Sequence, residues 1–285
     1  MRADIRMVRF TALFSSSSVR VPAANAFGIS FLGLIALMAI GGHFMPESAV
    51  APDYSALQQP PSLAHPFGTD SLGRDMLLRV IDGAPASLLV AVTVAIVSCV
   101  LGIAGGAAAG YFGKWVDIVI SRTIDYFLTI PPFFFVLVSV FLLGASTFHS
   151  SLIIGIALSA PTARQVRAQF LTLRQREFVA SARLIGMSTP AIIFFEILPN
   201  AIQPAIVQSV MNAAAAVLIH AGLGFLGLSD PNIAEWGAMI AENFAHGLFG
   251  WWSILAPGIA VMLLVLGLTA LGDQLNRYFD VARRY

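Results

Sequence analysis

The chain has 285 residues, of which 58% are hydrophobic and only 11% charged, with a formal net charge of +1. A soluble domain carries about 25% charged residues, so the composition excludes an ordinary soluble globule and points to the bilayer class. The balanced charge offers nucleic acid no basic surface, and one cysteine, Cys99, excludes an internal disulfide and a cysteine-built zinc site.

Asp, Glu, Lys and Arg are absent from 21–46, 83–113, 126–163, 197–229 and 243–272. A spanning helix needs about 20 apolar residues. Four of these runs fit one helix each, while the 38 residues of 126–163 are too long for one crossing and must turn back. The turn is legible at the small, polar segment Gly144–Ser151. The expectation is an all-α, polytopic membrane protein with six transmembrane helices near 24–45, 84–110, 118–143, 151–170, 195–226 and 251–272. With both termini cytoplasmic, 14 of the 16 basic residues fall inside and only Arg74 and Arg79 outside, as the positive-inside rule requires.

Residues 1–20 read as a basic, Ser-containing tail. A cleaved leader ending near Ala24-Asn25-Ala26 is the alternative, but the long apolar run follows that site instead of preceding it. The loop from Pro46 to Gly83 begins irregular and Pro-rich. In its second half Asp70 or Ser71 can cap a short helix, with Met76, Leu77, Val80 and Ile81 forming an apolar face at the outer surface. His65, Asp70 and Asp75 match no metal-ligand spacing and read as turn and cap chemistry. In the second span Gly102, Gly106 and Gly110 recur every fourth residue and line one face for close helix packing. Pro131-Pro132 should kink the third span. Near that span's inner end Asp125 is a polar intramembrane candidate for a pore, with a pair to Arg122 one turn earlier as the simpler role. His220 in the fifth span either faces a pathway or hydrogen-bonds a neighbouring helix. Between the last two spans, Trp236 and the Trp251-Trp252 pair fit an interfacial aromatic belt.

Catalytic patterns do not emerge. The five histidines stand apart at 43, 65, 149, 220 and 246, no span holds paired carboxylates, and no Gly-Lys-Ser/Thr follows the glycine-rich AGGAAAG. The chain is therefore expected to be no enzyme, to hold no metal or cofactor, and to lack its own ATP site. No chain of buried acids suggests a proton relay, and no internal repeat suggests two matching halves.

REFVASARLIGMSTPAIIFFEILPN, residues 176–200, is a charged helical segment between two apolar runs. Arg176–Ile185 is helix-forming, Gly186 can take the left-handed cap, and Pro190 follows as a stop. Its VASARLIG, followed thirteen residues after the glycine by Pro199, resembles the "EAA" loop of binding-protein-dependent ABC transporter permeases. The pattern's Glu falls on Ala180 and its middle Ala on Ser181, with Ala182 and Arg183 following and Glu177 as the nearest acid. HPFGTDSLGRDMLLRVIDGAPASL, LGFLGLSDPNIAEWGAMIAE and PGIAVMLLVLGLTALGD resemble the C-type subunit of dipeptide, oligopeptide and nickel importers, so the likeness covers roughly residues 27–280.

That resemblance implies the type I ABC importer permease fold in a bacterial inner membrane. Residues 1–83 would hold the tail, first helix and extracytoplasmic loop. Residues 84–273 would form the permease core with a coupling loop near 171–194, and 274–285 a cytoplasmic tail. The implied partners are a homologous second permease subunit in a heterodimer, two ATPase subunits and an extracytoplasmic solute-binding protein. The small residues Ala180, Ser181 and Ala182 would let an ATPase approach closely. The cargo would be a peptide or a similar small solute. The competing expectation is a secondary transporter or channel not driven by ATP.

Overall fold

A computed structural model describes residues 23–245 and 250–282. The basic tail and the leader alternative lie mostly outside these residues. Among the described residues the regular structure is helical, apart from one isolated bridge between Thr69 and Asp75.

Helix α1 (Ala23–His43) leads into the long loop. Short α2 (Met76–Asp82) continues through Gly83 into α3 (Ala84–Phe112). Then come α4 (Lys114–Thr129), α5 (Pro132–Leu143), α6 (Thr147–Ala157), α7 (Ser159–Leu173) and α8 (Glu177–Leu184). A turn at Thr189–Ala191 and a π-helical stretch, Ile192–Ile197, feed α9 (Leu198–Phe225). Helices α10 (Trp236–Ala245) and α11 (Trp251–Ala282) complete the order.

Among the described residues four stretches are long and apolar enough to cross a membrane: Asn25–His43, Met76–Phe112, Thr189–Phe225 and Trp251–Phe279. The expected third span is different. Helices α4 and α5 meet at 87°, because Pro131 and Pro132 supply no backbone donor and Ile130 and Pro131 are held extended. The sequence suggests a kink, whereas the chain turns a corner. The expected fourth span is α6 and α7, separated by Leu158 alone. Asn212 of α9 donates to the Leu158 carbonyl at 2.8 Å and to the Thr162 hydroxyl at 3.0 Å, closing the break with a polar clamp inside the bundle. The last helix runs past Gly272 to Ala282.

Helix α3 is the spine. A Cβ at Gly102 would lie 2.6 Å from the Thr162 Cβ, at Gly106 2.5 Å from the Ala163 carbonyl oxygen, and at Gly110 2.5 Å from the Phe170 Cβ. One face of α3 thus touches α7 backbone to backbone. Around the start of α3 the core joins Ile35, Val80, Ala84, Val217, Met239 and Leu264.

Trp236 belongs to this core at 1% exposure and donates its Nε1–H to the Val80 carbonyl at 2.8 Å. It is therefore no belt residue, because a neighbouring turn satisfies its indole. Trp251 is exposed, and Trp252 reaches back to the Thr69 carbonyl at 3.0 Å.

The long loop is organised by charge. Asp70 is fully buried and accepts from the Leu72 and Arg74 amides, Arg74 Nε at 2.7 Å and Arg79 Nη1 at 2.9 Å. Both arginines also reach Glu242 on α10, at 2.8 and 3.0 Å. With Asp70 so engaged, the residue that caps α2 is Asp75, which accepts from the Leu77 and Leu78 amides and holds His65 Nδ1 at 2.8 Å. A buried guanidinium, Arg79, and a half-buried one, Arg74, therefore meet two carboxylates, and the charges balance.

Candidate functional site

The short helix α8 lies at the far end of α3 from the loop. Twenty-nine residues of α3 separate the two ends, about 43 Å at 1.5 Å per residue. Arg174 joins α7 to that end by donating to the Gly110 and Tyr111 carbonyls at 2.9 and 3.2 Å, which satisfies acceptors that α3 leaves open at its C-terminus.

Helix α8 is short, and its ends are built. Arg176 enters extended, Glu177 occupies the first turn and Arg183 the last, matching the helix dipole. At the exit Gly186 stands at φ +80°. Its amide donates to the Arg183 carbonyl and the Met187 amide to the Ala182 carbonyl, both at 3.0 Å. This pair of bonds is a Schellman motif. Pro190 then opens the next turn, Thr189–Ala191, instead of merely stopping α8.

The two faces of α8 do different things. Val179 and Ala182 are buried among Val166, Phe170, Ile192 and Ile197, which fixes the helix to α7 and to the entry of α9. Burying a valine stabilises by about 1.5–3 kcal/mol, enough to hold two turns in register. The guanidinium of Arg183 stands 6.0 Å from the Tyr111 ring centroid, within cation–π range. Glu177, Ala180, Ser181 and Gly186 are exposed. Ala182 is not: its small side chain serves packing inside the chain. Pro199 lies in the first turn of α9, just beyond the π-helical stretch.

The most exposed apolar side chains of this segment are Leu184, at 88%, and Ile185, at 77%. Motif reasoning passes over them because it attends to small residues. The signal was present, since two consecutive aliphatics just before a capping glycine have no room on the buried face of an eight-residue helix.

The intramembrane candidates resolve differently. Asp125 pairs with Arg164 of α7 at 2.9 Å, and Arg122 takes no part in that pair. The corner at Pro131 swings α4 across α7, so the partner comes from a different helix. Arg167 holds Asp117 through both carboxylate oxygens along the same seam. His220 is buried at the opposite end of the bundle, with Nε2 3.7 Å from an oxygen of Glu235. Gln165, Gln208 and Asn212 form a relay of amide hydrogen bonds between α7 and α9 that no motif announces.

Residues 102–285 match the family model described as the binding-protein-dependent transport system inner membrane component. A dipeptide transport system permease protein, DppC, of Alkalihalophilus pseudofirmus is 38% identical over 223 residues, 78% of this chain and 73% of that protein. A probable D,D-dipeptide transport system permease protein, DdpC, of Escherichia coli K12 is 35% identical over 252 residues, 87% of this chain and 85% of that protein. A putative peptide permease protein of Brucella suis is 36% identical over 231 residues, 80% and 76% of the two chains.

Proposed function

Because the chain belongs to the binding-protein-dependent transport system inner membrane component family, whose members are ABC importer permeases of the bacterial inner membrane, we propose that it forms half of a translocation pathway for peptides or a similar small solute. The other half is a homologous permease subunit, the solute arrives on an extracytoplasmic binding protein, and two ATPase subunits drive the cycle. The names of the relatives support the peptide reading.

The coupling element in this reading is α8. One observation carries it: a helix pinned from behind by Val179 and Ala182 and closed by Gly186 presents Leu184 and Ile185 outward. A rigid mount with an apolar tip suits a groove on a soluble partner, since exposed aliphatics at this density cost solubility unless covered. Arg164, Arg167, Arg174, Arg176 and Arg183 cluster at this end, which supports a cytoplasmic position. The bent α4–α5 pair and the α6–α7 pair complete six crossings.

The test replaces Leu184 with Asp in the assembled transporter. The expected result is normal membrane insertion with loss of ATPase co-purification and of ATP-driven uptake into vesicles. Full uptake without any ATPase, driven by an ion gradient, would overturn the reading in favour of a secondary carrier.

A further inference from the structure

Glu235 is a buried acid that the transport reading leaves unused. It stands just before α10 at 4% exposure. One carboxyl oxygen accepts from the Thr147 hydroxyl of α6 at 2.5 Å, and the same oxygen lies 3.7 Å from Nε2 of His220 on α9. That second distance is too long for a direct hydrogen bond. The other carboxyl oxygen is buried and has no hydrogen-bond partner among the described residues.

The residue also forms a partition. On its inner side lies a small cavity shared with Ser87, Val90, His220 and Trp236. On its outer side lies a polar cleft shared with Arg74, Arg79, Asp82, Asn232 and Glu242. Glu242 is 46% exposed, so the cleft reaches solvent and a proton has a path to the carboxyl.

A carboxylate with one orphaned oxygen is costly in such a place, whereas a neutral carboxylic acid is not. We propose that Glu235, with Thr147 and His220, forms a proton-binding site that ties the start of α10 to α6 and keeps it seated on α9 while the Glu235 carboxyl carries a proton. Release of that proton to the cleft leaves a carboxylate on the α10 side. Among the described residues Thr147 supplies its only hydrogen bond, and the guanidiniums of Arg74 and Arg79 are already engaged by Asp70 and Glu242. The charge is then relieved when the start of α10 loosens and water from the cleft reaches the carboxylate.

Burial pushes Glu235 up to about 7 from its ordinary 4.5, against the Thr147 hydrogen bond, which lowers it; Asp230 adds like-charge repulsion. The sign follows from linkage. A carboxyl raised in the seated state binds its proton more tightly there than when released, so seating is strongest below about 4.5, weakens from 4.5 to 7 and changes no further above 7. The other ionisable groups that line the cleft, Arg74, Arg79, Asp82 and Glu242, come from the loop, α2 and α10.

Amide hydrogen exchange on the full chain in lipid nanodiscs tests this. Protection factors of residues 236–245, which remove the intrinsic pH dependence of exchange, are compared at pH 5 and pH 7. The expected result is a fall of about tenfold or more in the wild type and none in Glu235→Gln, whose amide keeps the Thr147 bond without ionising. Equal protection at both pH values in the wild type, or the same fall in E235Q, overturns the proposal. Should E235Q fail to fold, the infrared carbonyl band of a protonated glutamic acid in the wild type decides: persistence at pH 6 supports the site, and loss of every such band by pH 5 refutes it.

Discussion

Gly186 and Gly106 are both glycines, for opposite reasons. A Cβ at Gly186 meets nothing within 4 Å, so only its φ of +80° demands glycine. At Gly106 the dihedral is ordinary and the α7 backbone fills the space. Gly186→Ala is expected to weaken the α8 cap by about 1 kcal/mol and Gly186→Val by more, seen as faster amide exchange over 177–185 with the bundle unchanged. Gly106→Leu should instead separate α3 from α7 and abolish the folded chain, read as loss of monodisperse protein in detergent. Trp236→Phe strands the Val80 carbonyl and is expected to cost about 1–3 kcal/mol in thermal unfolding. Gly186 was legible in the sequence because a glycine after a helical run has few other uses. Trp236 was not, because a tryptophan near a span's end reads as an interfacial anchor until its partner, 156 residues away, is known.

Charge-free runs located most of the helices well. They failed where backbone chemistry interrupts a run without changing its polarity. Pro131-Pro132 announced a bend but not its 87° size, since two missing donors do not say where the next helix packs; the pairs of Asp117 with Arg167 and Asp125 with Arg164 of α7 accompany that placement. The Leu158 break and the π-helical entry to α9 are marked only by Pro161 and Pro199, whose missing donors free the carbonyls of Ala157 and Phe195 without fixing the geometry that results. Replacing both prolines with alanine restores two backbone donors and lets one helix form. Spin labels at Trp115 and Phe141, both exposed, should then move from roughly 26 Å apart toward about 39 Å, the straight-helix length of 26 residues. An unchanged distance would show that the salt bridges, not the prolines, set the corner.

Across the whole molecule, α3 carries a polar loop assembly at one end and α8 at the other. In a Cys99→Ser background, cysteine at Ser188 should label from the cytoplasmic side and cysteine at Ser55 from the opposite side. Labelling of both from one side would refute the six-crossing topology. The basic bias of the α8 end was readable from the sequence, and so was the family. The pairing of the loop with α10 was not, since charge counts say nothing about which of several acids an arginine will meet.

That pairing has a consequence for synthesis. The loop's buried Asp70 depends on Arg74 and Arg79, which in turn hold Glu242, 163 residues beyond Arg79. At about 5–20 residues per second the ribosome takes roughly 8–33 s to cover that interval. In the proposed topology the loop is across the membrane during this time, with its charge network half made and its Trp236 and Trp252 contacts still missing. Nascent chains halted near Leu228 should therefore carry a protease-sensitive segment at residues 46–75 that becomes resistant once α10 and α11 are complete. A quality-control protease on that side of the membrane would have its window there.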